Sequence, residues 1–85
     1  MTEFAPPLGL EAWLARLSEL LSVDPAEGVS PDERAVLLDL ARVAAHRSER
    51  IAAPITTYLA GVAFAGLPRP ERLARLRGLV AALET

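Results

Sequence analysis

The stretch SPDERAVLLDLARVAAHR, residues 30–47, predicts the helix that decides the fold class. Ser30 can cap this helix, Pro31 suits its first turn, and Glu33 completes a capping box. We predict that the helix covers residues 31–48 and that apolar side chains occupy most of its circumference. These side chains are Val36, Leu37, Leu40, Ala41, Val43, Ala44 and Ala45. A helix that is apolar on several sides packs against several neighbours, so we expect it at the centre of a bundle.

Three more helices are predicted around this central one, over residues 8–23, 55–65 and 70–83. Ala and Leu, two strong helix formers, are the commonest residues of the chain, and Pro or Gly separates the segments. The sequence therefore predicts an all-α fold, a compact bundle of four short helices. With 85 residues the chain forms one domain over residues 1–85.

The first and third predicted helices carry clear apolar stripes. In the first, Trp13 lies among leucines at helical spacing, and we expect it to anchor the core rather than serve as an interface hot spot. In the third, we expect the inner stripe to consist of Ile55, Tyr58, Leu59 and Val62. Gly66 is the predicted left-handed residue after the end of this helix.

The composition excludes several kinds of site. The chain has no Cys and one His, so it offers no intrachain thiolate or multi-His metal site, and no cofactor is expected. The net charge of −2 and the pI near 5.3 argue against nucleic acid as a partner. The clustered arginines of the fourth helix lack any accompanying motif. We see no nucleophile paired with a base and therefore predict that the protein is not an enzyme.

We also expect no targeting signal from this sequence. Residues 1–7 contain no basic residue, so they do not resemble a signal peptide. The longest apolar stretch, residues 59–67, is too short to span a bilayer. We therefore expect a cytoplasmic protein that does not bind membranes.

One polar cluster stands out on the second helix and just after it. Asp39, Arg42 and His46 share a face, and Arg50 follows at the end of the helix. The third helix begins shortly afterwards, where free N–H groups and hydroxyl groups favour an anion. Its polar residues there are Thr56, Thr57 and Tyr58. We predict that seven residues together form a polar patch that binds a partner or an anion: Asp39, Arg42, His46, Arg50, Thr56, Thr57 and Tyr58.

Two simpler interpretations of this patch stay open. Asp39 with Arg42, and His46 with Glu49, have the spacing of ordinary ion pairs on a helix surface. The threonine hydroxyl groups can satisfy backbone groups within their own helix. In that case the patch is a structural polar network.

The stretches LLDLAR at residues 37–42 and AAPITTYLAG at residues 52–61, with His46 between them, carry a family resemblance. The chain resembles a small bacterial helical family, a domain of unknown function. Such domains occur alone or as C-terminal extensions of molybdenum-cofactor guanylyltransferase-like proteins. The resemblance implies an association with molybdenum cofactor biosynthesis. It implies no nucleotidyltransferase activity, because this chain has no such domain.

These observations lead to one main function hypothesis and two alternatives. We predict a non-enzymatic interaction module that docks on a protein partner through the polar patch. The alternative is a domain that binds a small anionic ligand, a nucleotide or pterin phosphate, at the start of the third helix. Self-association, through the small residues of the third helix or the face around Trp13, is the third possibility.

Overall fold

The computed structural model describes residues 7–24 and 28–85, and these residues form four α-helices and no strand. The helices are α1 (Leu10–Leu21), α2 (Pro31–Arg47), α3 (Ala52–Phe64) and α4 (Arg69–Glu84). The all-α prediction is confirmed.

The helix α2 is central, as its apolar circumference predicts. It packs extensively against both α3 and α4, whereas α3 and α4 touch each other only slightly. Leu40 of α2 is fully buried, with no exposed surface, and Val36 and Val43 lie beside it in the core. Ala60 of α3 and Leu76 and Val80 of α4 complete this core. The core is therefore a thin layer along α2, formed by three of the four helices.

The start of α2 follows the predicted cap only in part. Ser30 precedes the helix, and its hydroxyl oxygen accepts a hydrogen bond from the backbone N–H of Glu33 at 3.2 Å. The Glu33 side chain does not return to the cap, because its carboxylate binds Arg72 of α4. The predicted capping box is therefore wrong in its second half: an ion pair to another helix has replaced it.

The helix α3 is rotated relative to the prediction. The expected inner stripe of Ile55, Tyr58, Leu59 and Val62 is exposed. The side facing the core instead carries mainly small and polar residues together with one phenylalanine: Ala60 is buried, and Ala53, Thr56, Thr57 and Phe64 are half-buried. The physical reason is that a small residue such as Ala60 allows the α3 backbone to approach α2 closely.

Both ends of α3 also differ from the prediction. The helix begins at Ala52, so Pro54 lies within its first turn, where a missing N–H costs nothing. At the other end, Gly66 does not adopt the expected left-handed conformation, since no glycine among the described residues has a positive φ. A turn closed by the N–H of Leu67, which donates to the carbonyl oxygen of Phe64, follows the helix instead.

The helix α1 stands apart from the three-helix core. It has no buried residue and shares no extensive contact with another helix. An ion pair of 2.6 Å joins its Glu11 to Arg34 of α2. Trp13 is 51% exposed, so the prediction that it anchors the core is wrong. The molecule measures 49 × 31 × 18 Å.

Candidate interaction surface

The outer side of α3 is a continuous apolar stripe, which we call the α3 face. It is formed by Ile51, Ile55, Tyr58, Leu59 and Val62, whose spacing of three and four residues places them on one side of a helix. Each of these side chains is 57–72% exposed. The helix contains no charged residue at all. An exposed, uncharged stripe of this kind is typical of a surface that binds another molecule.

A second apolar stripe, the α1 face, runs along α1. Its members are Leu10, Trp13, Leu14, Leu17, Leu20 and Leu21. Leu14 and Leu17 are half-buried, and the other four are more than half exposed. Since the leucines repeat at helical spacing, the stripe has the form of a core-facing surface. Among the described residues, no other helix packs extensively against it.

An open cavity of about 560 Å³ adjoins the α3 face. Tyr58 and Gly61 line it from α3, Leu37 from α2, and Val23 and Val29 from the two sides of the α1–α2 linker. Its lining is largely apolar, which suits an apolar group rather than a free anion.

The polar part of this cavity is the ion pair between Glu33 and Arg72. The pair is bidentate, with Nε and Nη2 of Arg72 at 2.6 and 2.7 Å from the two carboxylate oxygens. Glu33 is only 2% exposed. The hydrogen bonds from Arg72 lower the pKa of the Glu33 carboxyl below its usual value, although burial acts in the opposite direction. The same contact raises the pKa of Arg72. Both side chains are therefore charged at neutral pH and hold α2 to α4.

A second arginine fixes the segment before α2. Nε and Nη2 of Arg69 both donate hydrogen bonds to the carbonyl oxygen of Gly28, the first at 3.1 Å. Arg69 also contributes to the lowered pKa of Glu33 through its charge. The described chain on the α2 side of the linker is thus attached to the start of α4.

The predicted polar residues on α2 lie on its exposed side. Arg42 forms an ion pair with Asp39 at 3.7 Å, as the surface-pair interpretation expects, and another with Glu84 of α4 at 3.3 Å. His46 and Arg50 are exposed. Within the described residues, no hydrogen bond or ion pair joins either of them to another predicted site residue. Asp39 and Arg42 are therefore placed together, but the structure shows no network that unites the whole patch.

The predicted residues on α3 divide between two sides. The Thr57 hydroxyl lies near the backbone carbonyl oxygens of Ala53 and Pro54, at 3.2 and 3.1 Å, and donates within its own helix. Thr56 is half-buried on the side that faces the core, whereas Tyr58 belongs to the exposed α3 face. Tyr58 is thus the predicted α3 residue that lies on the interaction surface.

The start of α3 is a poor anion site in this structure. The backbone N–H groups of Ala52 and Ala53 already donate to the carbonyl oxygens three residues earlier, at 2.9 and 3.2 Å. Pro54 has no N–H to offer. Few of the backbone N–H groups that the sequence suggested for anion binding are therefore free.

Sequence reasoning missed the Glu33–Arg72 pair because the two residues are far apart in the chain. Glu33 also has the position of a helix-capping residue, and Arg72 that of a surface arginine. For the α3 face, the one indication in the sequence was that residues 52–64 carry no charge. This feature did not identify an interface, because a buried helix also lacks charge.

The residues that the structure describes contain no cluster of three or more His, Asp or Glu side chains that could hold a metal ion. None of the helices formed by these residues has the length and apolarity needed to cross a membrane.

Comparisons with known proteins give one match. The pattern of a family described as a domain of unknown function (DUF6457) matches residues 5–85. Neither a curated protein nor a solved structure matches the chain.

Proposed function

Since the chain belongs to this DUF6457 family of unknown function, we propose a role from its own surface: a non-enzymatic helical interaction module. The single observation that supports this proposal is the α3 face, in which four large apolar side chains of a helix without charge and Ile51 just before it are exposed. Leaving such a stripe in water is unfavourable by about 25 cal/mol for each Å² of apolar surface. A partner that covers the stripe recovers this free energy.

The predicted polar residues form a second exposed surface. Asp39, Arg42, His46 and Arg50 are exposed, with Asp39 and Arg42 on the side of α2 next to α4, and Tyr58 lies on the α3 face itself. Interfaces commonly combine an apolar centre with a polar rim that contributes more to specificity than to affinity. We therefore propose that the α3 face supplies the affinity, and that a partner extending beyond it is selected by these polar residues.

For the identity of the partner, we propose a molybdenum-cofactor guanylyltransferase-like protein of a bacterial cell. The family resemblance of residues 37–61 supports this choice. The test is binding of the purified chain to such a protein, measured by calorimetry. A lack of binding at high concentration would reject this partner without affecting the module proposal.

The module proposal is tested by affinity purification from the native cell with Leu59→Arg as bait. This variant places a charge in the centre of the α3 face, so we expect the partners of the wild-type bait to be lost. Leu38→Arg is the matched control, because Leu38 is 71% exposed on α2 and lies outside the α3 face. Identical partner lists for Leu59→Arg and wild type would contradict the proposal. Arg42→Ala and His46→Ala test the polar rim in the same way.

The anionic-ligand alternative has weaker support, since few donors are free at the start of α3. It makes a separate prediction in a thermal-shift screen against phosphates and nucleotides. A rise in Tm that disappears in Arg50→Ala would favour the ligand. An unchanged Tm across the screen is the result that we expect from a protein-interaction module.

A further inference from the structure

The α3 face and the α1 face have the same length. The first extends from Ile51 to Val62 and the second from Leu10 to Leu21, so each covers about 17 Å of helix at 1.5 Å per residue. Both are apolar along this whole length and, apart from the half-buried Leu14 and Leu17 in the middle of the α1 face, they are open to solvent. Two helical stripes of equal length can pack side by side with ridges in grooves.

The two faces make no extensive contact within one chain. The helix α1 has no extensive contact with α3, and its Glu11 is held by Arg34 of α2. We infer that the α1 face of a second copy covers the α3 face, and that the exchange is reciprocal. This inference rests on the proposed function: a second copy of the chain occupies the α3 face when the protein partner is absent, and the partner proposed above binds by displacing that copy. A reciprocal exchange gives a closed dimer with two-fold symmetry.

The exposed surface is large enough for such a dimer. Nine side chains on the two faces are more than half exposed: Leu10, Trp13, Leu20, Leu21, Ile51, Ile55, Tyr58, Leu59 and Val62. They offer on the order of 1,000 Å² in one α1–α3 contact, and two contacts exceed the roughly 1,600 Å² of a standard interface. Because α3 carries no charge, no charged side chain of that helix needs to be desolvated.

Trp13 reports directly on this dimer, since it is the single tryptophan of the chain. It is half exposed in the isolated chain and becomes covered when α1 packs on a second copy. We expect its emission to shift to shorter wavelength as protein concentration rises, together with a doubling of the mass in sedimentation equilibrium. A monomer at all concentrations would overturn the inference. If its emission were also blue-shifted, α1 would be covering the α3 face of its own chain.

Two charge substitutions test which faces meet. Leu20→Arg disrupts the α1 face and Leu59→Arg the α3 face, and each should weaken dimerisation by at least about 30-fold, the effect of losing an interface hot spot. Leu38→Arg, the same change on an exposed α2 leucine, should leave dimerisation unchanged. If only one of the two face variants had an effect, the contact would be α1 with α1 or α3 with α3, and the inference would be wrong.

Mixing the two variants gives the sharpest result. In a mixed dimer, the intact α1 face of Leu59→Arg packs on the intact α3 face of Leu20→Arg, so one of the two contacts is restored. We expect more dimer in the mixture than in either variant alone. No recovery on mixing would contradict reciprocal exchange. If the wild-type protein remains monomeric but Leu59→Arg still loses a protein partner in affinity purification, the dimer is rejected and the module proposal stands.

Discussion

At the scale of single residues, the strongest polar contact in the described chain joins Glu33 to Arg72. Both carboxylate oxygens accept a hydrogen bond from the guanidinium, and Glu33 is almost fully buried. Removing one member of a buried ion pair leaves the other charge without compensation. The pair therefore matters more to the stability of the core than the exposed ion pairs do.

We expect Glu33→Ala to lower the free energy of unfolding by about 3 kcal/mol, because it leaves Arg72 unpaired. Glu11→Ala is the matched control: it also breaks an arginine pair, but the Glu11 side chain is 81% exposed, so its loss should cost less than about 1 kcal/mol. Urea denaturation followed by circular dichroism measures both. Replacing the pair together, Glu33→Met with Arg72→Met, should restore most of the stability. Equal losses for Glu33→Ala and Glu11→Ala would contradict this account.

The same pair predicts how stability depends on pH. In the unfolded chain the Glu33 carboxyl titrates near its usual value of 4.5, and in the folded chain its pKa is lower. Between these two values the unfolded state binds more protons, so the stability that the pair contributes is lost as the pH falls below about 4.5. Glu33→Gln removes this titration. Its free energy of unfolding should therefore fall less steeply than that of wild type between neutral and acid pH, and parallel curves would refute the assignment.

At the scale of elements, the end of α1 has a specific geometry. Ser22 adopts a left-handed conformation with φ 55° and donates to the carbonyl oxygen of Glu19, while Val23 donates to that of Ser18. These two bonds form a Schellman motif, in which glycine is the preferred left-handed residue. A serine in this position stores about 1 kcal/mol of backbone strain.

Ser22→Gly should therefore stabilise the end of α1. We expect amide hydrogen exchange in residues 10–21 to slow about fivefold, because relief of about 1 kcal/mol favours the closed helix. Exchange in α2 should not change, since α1 shares no extensive contact with it. Faster exchange in α1 would show that the left-handed conformation does not persist in solution.

Helix existence could be predicted from the sequence much better than helix orientation. The caps and breaks at Ser30 and Asp24 and the apolar periodicity were sufficient to locate all four helices. The orientation of α3 could not be predicted, because both of its sides lack charge. Its large apolar residues suggested a core face, but the small Ala60 allows closer packing on α2. In the candidate site, Tyr58 was found for its polar hydroxyl, whereas it contributes mainly apolar surface.

At the scale of the whole molecule, stability and association belong to different helices. The helices α2, α3 and α4 bury the core, and α1 adds no buried residue. The sequence could not show this division, since the stripe of α1 has the pattern of a helix packed in a bundle. Whether such a stripe meets its own chain or another depends on tertiary contacts that no local pattern encodes.

This division predicts different results for substitutions in the two parts. Leu40→Ala empties a fully buried position and should lower the free energy of unfolding by about 3 kcal/mol. Leu10→Ser changes a side chain that is 58% exposed on α1, and in dilute monomer it should cost less than about 0.5 kcal/mol. Thermal denaturation at low protein concentration compares the two. A large loss in Leu10→Ser would mean that α1 packs on the core of its own chain.

The two hydrogen bonds from Arg69 to the Gly28 carbonyl have a kinetic consequence. They attach the polypeptide to α4 just before α2 begins. Because α1 precedes this attachment in the chain, a rearrangement of α1 does not disturb the core. Two copies joined through α1 can then exchange subunits without unfolding. When labelled and unlabelled protein are mixed, we expect subunit exchange to be complete long before the backbone amides of the core exchange with solvent.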